Sequence, residues 1–330
     1  MAKGAKLNNS YFRPDVRLIS SRDEMQIGLQ RELQVIWFPP AIGHFIWENG
    51  PCSLGKDIED LLAVNGLLTH ERNSSLNTLN RNTIFNQAIS SINICGNEDN
   101  LLLNETFIIL GCGGLGSQIA LQLASLGVQK LILVDGDIIE ESNLNRLFWA
   151  RKEDIGVYKT ERLAIFLQER YETEVQSFQK FAGKDFFIQD IPYKESIFLI
   201  LAGDSTKDLR VFMKGLYQQF TGGNNLPRYI HAGYIGRYCI TGPIVSEQLE
   251  PCIFCNSAAS IVDDKNFIAP SAAPNNAIIA GIVCSQILLE LMNKRSILHS
   301  QRMFFDLSSC KSKLYRLQKD INCDVCKKII

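Results

Sequence analysis

The stretch Thr106-Phe-Ile-Ile-Leu-Gly-Cys-Gly-Gly-Leu-Gly116, followed by an apolar run and then Lys130-Leu-Ile-Leu-Val-Asp135, decides the fold. Residues of buried-strand type run into glycines at 111, 113 and 116. An apolar helix follows, then a second strand over 130–134 that ends on an acid. This is the pattern of a βαβ nucleotide-binding unit. Gly111 suits a tight turn off the strand, Gly113 a close approach of backbone to phosphate, and Gly116 close packing of helix on sheet. The helix start offers free N–H groups and positive dipole to an anion. Asp135 stands at the distance expected for a ribose ligand. The glycines alone do not separate NAD from ATP.

The residues beyond Asp135 bear on that choice. They include Asp137, Ser142-Asn143-Leu144-Asn145-Arg146, Asp154-Ile155-Gly156 and Lys159. A polar loop beyond a strand's carboxyl end is where open α/β sheets bind ligands. Either Arg146 or Lys159 alone reads as a solvated surface charge. Both together beside a phosphate-binding turn exceed what one dinucleotide pyrophosphate needs, and suit a triphosphate that is being cut.

In combination and order, these motifs resemble the E1-like adenylating superfamily, which includes the ThiF and MoeB adenylyltransferases and the ubiquitin-activating enzymes. The resemblance covers about residues 76–330. It implies an enzyme that binds ATP and Mg²⁺, adenylates a carboxylate and releases pyrophosphate. Carried over by position, it places Gly114 against the nucleotide, Asp135 on the ribose, and Asn143, Arg146 and Lys159 on the phosphates. Asp204, in Leu199-Ile-Leu-Ala-Gly-Asp204-Ser, matches the family's Mg²⁺-holding aspartate. Without the resemblance, Asp204 reads equally well as a helix N-cap. Family members are usually homodimers in which a partner arginine reaches the γ-phosphate, and Arg81 in Leu79-Asn-Arg-Asn82 is the candidate here.

The chain has 330 residues, formal net charge −1, 46 % hydrophobic and 21 % charged residues. This is ordinary for a soluble protein of one or two domains. No basic excess points to nucleic acid. No uninterrupted apolar run reaches 18 residues, and the lysines of the N-terminus lack an apolar stretch after them. Both imply a cytoplasmic protein without a membrane span. Among ten cysteines, Cys252-Ile-Phe-Cys255 and Cys323-Asp-Val-Cys326 form two knuckles with the ligand set of a closed zinc site. The family resemblance supports a structural Zn²⁺ there, away from the active site. The remaining six (Cys52, Cys95, Cys112, Cys239, Cys284, Cys310) read as buried, inert thiols. His231, after a strand, reads as a core or loop histidine rather than a base.

The expected fold is α/β: a doubly wound Rossmann-like sheet with a small N-terminal α+β module, winged-helix-like, over residues 1–75. Short strands are expected over 15–20, 24–29 and 33–38, and a serine-capped helix over 53–64. The arrangement resembles the peptide clamps of enzymes that modify ribosomally made peptides and capture a leader as an added strand. A packing or dimerisation extension is the plainer reading. An amphipathic segment over 83–94 opens the adenylation domain, residues 76–330. Gly236 and Gly242 are expected as turn points of a later hairpin. Residues 256–276 correspond to the family's crossover loop, yet hold no cysteine. That argues against a thioester or acyl-disulfide carrier. It favours attack on the acyl adenylate by a nitrogen or other nucleophile of the substrate itself.

The leading expectation is adenylation of a carboxylate on a ribosomal precursor peptide, followed by amide or imide formation or cyclisation. This is similar to the microcin C adenylating enzyme and the pantocin-type cyclising enzyme. The alternatives are an adenylyltransferase for a Gly-Gly-ended sulfur carrier, an NAD-dependent Rossmann dehydrogenase, and a catalytically dead peptide-binding scaffold.

Overall fold

The structure, a computed structural model, describes residues 105–171, 173–191, 196–220, 226–255, 271–292 and 296–327. Of the first hundred it describes 11–12, 17–20, 25–28, 35–38, 55–64, 68–69 and isolated positions between 41 and 85. The chain divides into two compact units, Met1–Asn100 and Leu101–Ile330.

In the first unit, β1 (Tyr11–Phe12) pairs with β5 (Leu68–Thr69). Strands β2 (Arg17–Ser20), β3 (Met25–Gly28) and β4 (Val35–Phe38) form an antiparallel three-stranded sheet. Helix α1 (Lys56–Val64) precedes β5. Three short strands and a helix match the sequence expectation. The expected segment over 83–94 falls outside the described residues except at position 85, which is helical.

The second unit is built on an eight-stranded mixed sheet. Its elements are β6 (Glu105–Leu110), α2 (Gly114–Ser125), β7 (Lys130–Val134), α3 (Lys159–Tyr171), β8 (Glu174–Phe178), β9 (Ser196–Leu201), α4 (Thr206–Gln219), β10 (Arg228–Ile235), β11 (Tyr238–Val245), α5 (Ala273–Leu291), β12 (Gln301–Asp306) and β13 (Lys311–Arg316). The strand order is β13-β12-β11-β10-β9-β6-β7-β8, parallel from β10 to β8 and antiparallel from β10 to β13. From central β6 the chain moves outward through β7 and β8, then returns to β9 on β6's other side.

Parallel strands covered on both faces must be apolar along their buried length, and β6 from Phe107, β7 from Leu131 and β9 from Ile197 are. One face, with Ile108, Leu110, Leu199 and Leu201, receives Leu209, Phe212, Met213 and Leu216 of α4. On the other, Ile109 lies under α2, and α5 crosses α2, with the Cys284 thiol 3.9 Å from the Ile119 carbonyl. By length and composition α5 could cross a membrane. Yet Ile279, Val283, Cys284, Ile287 and Leu288 are buried within the fold, so it serves as a core helix.

Gly236 turns the β10–β11 hairpin as expected. Gly242 does not turn the chain. It lies inside β11 at positive φ beside a cis peptide to Pro243, opposite a register shift in β10.

The second unit is also clamped at one edge by His299. Its Nδ1 is 2.8 Å from Glu250 Oε1 and its Nε2 2.7 Å from Glu290 Oε2. Hydrogen bonds to Glu250 and then Glu290 raise the imidazole pKa to about 9. Burial pushes Glu250 up, but His299 and the N–H groups of Ser246 and Glu247 outweigh it and hold the carboxyl low.

Two outcomes are expected. Gly116→Ala would place its Cβ 1.8 Å from the Gly111 carbonyl oxygen; denaturant unfolding should show a loss of about 3 kcal/mol or more. The His299 clamp stabilises fully below about pH 6.5, the free-histidine value, and weakens as pH rises through 9. Urea midpoints should therefore fall between pH 7 and pH 9.5, by of the order of 3 kcal/mol in the limit. In His299→Gln that portion of the fall should vanish.

Candidate active site

The topology reverses between β6 and β9, and the loops leaving these strands emerge side by side. Open α/β sheets bind ligands at such a point. Gly111 takes φ +92°, and a Cβ there would meet Gly203 backbone at 2.8 Å. Gly116 brings α2 onto the turn. Above Gly113, the N-cap of α2, a Cβ would meet nothing within 4 Å, which leaves the helix start open to a ligand. At Gly114 a Cβ would stand 2.3 Å from Asn276 Nδ2 and 2.9 Å from Arg146 Cδ.

The charged residues gather around this turn. Asp135 is buried at the end of β7, and its carboxylate accepts from Cys112 N–H (2.7 Å) and Asp137 N–H (2.8 Å). Burial raises its pKa against the opposing charge of Lys159. Two accepted bonds leave lone pairs free for further donors. Lys159 is almost wholly buried, with its ammonium 2.8 Å from Asp137 Oδ2. Asn143 is buried, accepts from Glu140 N–H (3.3 Å) and closes the short 3-10 turn Glu141–Asn143. Arg146 follows this turn, its Nη1 fixed by Ser142 O (2.8 Å) and Asn145 Oδ1 (2.9 Å).

Asp204 stands just past β9. The N-cap of α4 is Ser205, whose hydroxyl accepts from Asp208 N–H, so Asp204 is not the cap. Among the described residues its carboxylate accepts no hydrogen bond. It is exposed by area, yet protein crowds it enough that desolvation raises its pKa, while Lys159 and Arg146 pull it down and Asp137 pushes it up. Both statements hold for a carboxylate in an open cleft. Two cations and an unengaged carboxylate around an open glycine turn suit a polyanion accompanied by a divalent cation. Thus Gly111, Gly113, Gly114, Gly116, Asp135, Asp137, Asn143, Arg146, Lys159 and Asp204 share one region. Arg81 lies outside the described residues.

Sequence reading missed a neutral group in the same place. The Tyr234 hydroxyl lies beside the Ser271 side chain, within the electrostatic reach of Asp204 and Arg146. Asn276 Nδ2 donates to Ser271 Oγ (3.1 Å), and Asn145 Nδ2 to Ser271 O (3.4 Å). Only the paired asparagines at 275 and 276, ahead of an apolar helix, hinted at them.

Cys252, Cys255, Cys323 and Cys326 are buried, with sulfurs all within 4.8 Å of one another; neighbouring pairs lie at 3.6, 3.8 and 3.5 Å. Four thiolates at about 2.3 Å from a zinc ion have tetrahedral edges of about 3.8 Å. The set therefore fits a metal and is too wide for disulfides. Cys112, Cys239 and Cys284 are buried as expected, and burial pushes Cys239 up to about 11. Cys310 departs from that expectation: it is exposed at positive φ in the β12–β13 turn. Cys52 and Cys95 lie outside the described residues. His231 is no base: burial, then Arg302, lowers its pKa to about 3, and Nδ1 has no partner among the described residues.

Comparisons with known proteins agree with this architecture. Over 69 residues, 21 % of this chain and 16 % of the relative, the sequence is 41 % identical to the NEDD8-activating enzyme E1 catalytic subunit of Caenorhabditis elegans. It is 38 % identical to the adenylyltransferase and sulfurtransferase uba4 of Neosartorya fischeri over 87 residues, 26 % and 18 % of the two chains. For the SAMP-activating enzyme E1 of Haloferax volcanii the figures are 39 %, 67 residues, 20 % and 25 %. The matches thus span a quarter or less of these relatives.

In fold the chain is similar to E. coli MccB crystallised with AMPCPP and MccA, at TM-score 0.77 over 96 % of this chain and 99 % of that one, with 18 % identity. PaaA gives TM-score 0.64 over 93 % and 99 %, with 22 % identity. The sequence profile of the ThiF family matches residues 85–325, most of the chain. With the glycine turn, the switch-point cleft and this match in agreement, the chain belongs to the ThiF family.

Proposed function

We propose that the protein adenylates a carboxylate of a ribosomally made precursor peptide at the expense of ATP. The observation that carries this reading is the convergence of Lys159, Arg146 and Asp204 on the open helix start at Gly113. Family membership supports it. So does the likeness in fold to MccB, which has been crystallised with ATP and with MccA and is described as a microcin C7 biosynthetic enzyme.

ATP would lie with its ribose on Asp135 and its phosphates along Gly113 and Gly114, facing Asn143, Arg146 and Lys159. A substrate carboxylate oxygen attacks the α-phosphorus. The bond from that phosphorus to the bridging oxygen breaks, and pyrophosphate leaves with the electron pair. Negative charge grows on the departing oxygens, where Arg146 and Lys159 stabilise it. Asp137 pins the Lys159 ammonium, so little reorganisation is needed as that charge grows. Asp204 would hold Mg²⁺, which supplies further positive charge against the phosphates. The acyl adenylate would then be taken by a nucleophile of the peptide itself, since residues 256–276 contain no cysteine.

In the same proposal residues 1–75 dock the peptide, the enzyme works as a homodimer in which Arg81 reaches the γ-phosphate, and the four cysteines hold a structural Zn²⁺.

Incubation with ATP, Mg²⁺ and synthetic peptides encoded beside the gene should release AMP and pyrophosphate with one of them. ADP and phosphate would instead mean activation by phosphorylation. Turnover with a Gly-Gly-ended protein alone would favour a sulfur carrier, the role that the relative uba4 suggests. Asp204→Asn should lower AMP release at least a hundredfold, with the unfolding midpoint unchanged because its carboxylate accepts no hydrogen bond among the described residues. Elemental analysis should find one zinc per chain. Cys323→Ser should lose that zinc and several kcal/mol of stability, while AMP release persists at low temperature.

A further inference from the structure

The neutral cluster beside the charged site has no part in the chemistry described so far. Strand β10 pairs with β9 as far as His231, opposite Leu201, and then runs on to Ile235 past the end of β9. Tyr234 lies on this overhang, at the strand ends where the site opens. Ser271 links three parts: its side chain lies beside Tyr234 and accepts from Asn276 at the start of α5, and its carbonyl accepts from Asn145, next to Arg146. Asn276 is fully buried, its side chain lies against Gly114 and Arg146, and its Oδ1 has no partner among the described residues. The cluster thus sets uncharged polar groups beside the glycine turn.

The chemistry of the reaction calls for such a group. The attacking carboxylate is an anion approaching an anion. A cation gripping it would dull its nucleophilicity, whereas neutral hydroxyl and amide groups orient it and leave its charge in place. Tyr234 and Ser271 offer hydroxyls and Asn276 an amide, and none adds formal charge. We propose that Tyr234, set in place by Ser271 and Asn276, receives the reacting carboxyl group of the peptide. This rests on the adenylation reading. Tyr234 touches the carboxyl group. Ser271 and Asn276 are positioning residues that set Tyr234 against Gly114 and Arg146.

The test uses the full-length enzyme and the synthetic peptide that yields AMP with it, with KM measured separately for peptide and for ATP. Tyr234→Phe removes one hydroxyl and keeps the ring. Its peptide KM should rise about tenfold, the worth of one hydrogen bond, with ATP KM and the unfolding midpoint unchanged. Ser271→Ala, a second small change, should shift peptide KM in the same direction. A purely structural role would not divide the two KM values in this way. Unchanged peptide KM and kcat in both variants, with an active wild type, would overturn the subsite and leave adenylation standing. A rise in ATP KM instead would overturn it by placing the cluster on the nucleotide. No AMP from the wild type with any peptide would overturn both readings.

Discussion

Backbone pressed against backbone at Gly111 is the constraint on which the rest of the second unit depends. The turn after β6 runs so close to the end of β9 that no side chain fits between them, and α2 packs so close to that turn that none fits at Gly116. These two contacts place the start of α2, the end of β7 with Asp135, and the end of β9 with Asp204 around one opening. Glycines at both contacts permit this approach.

The charges work within that frame. Lys159 and Arg146 are each fixed by groups of their own neighbourhood: Lys159 by Asp137, Arg146 by Ser142 and Asn145. Their positive charge is thus in place before any ligand arrives, which makes it worth more than the same charge on a free surface side chain. Asp204, by contrast, is held by no hydrogen bond among the described residues, and Ser205 takes the capping role that would have engaged it. This division of labour between adjacent residues leaves the Asp204 carboxylate without a capping role. The four cysteines serve the packing instead. They close the α4 face of the core, joining the knuckle after β11 to the end of the chain.

Much of this was legible in the primary structure, for reasons of periodicity and chain chemistry. The continuous apolar runs of β6, β7 and β9, the glycine spacing and the paired C-x-x-C knuckles each impose a local geometry that few other sequences share. They sufficed for the ThiF resemblance and the doubly wound sheet. Sequence reading was less sure where one residue type serves several roles. Gly242 looked like a turn and sits within a strand, because its positive φ accommodates a register shift rather than a reversal. Cys310 looked like a core thiol and is exposed, because it sits in a hairpin turn whose following strand, β13, is itself exposed along its length. Asp204 could be read as cap or ligand until Ser205 was seen to cap.

The sequence by itself determined the nucleotide-binding unit, the candidate phosphate-facing cations and the four-thiol set, since each is written in a short stretch with fixed spacing. Only the tertiary structure decided which distant residues meet. Tyr234, Ser271 and Asn276 come from a strand overhang, a loop end and a helix start separated along the chain, and they meet only because β10 outruns β9 and α5 crosses α2. His299 finds two glutamates by the same kind of meeting. Side chains joined across the fold carry no periodic signature, so their partnership is fixed by packing rather than by pattern.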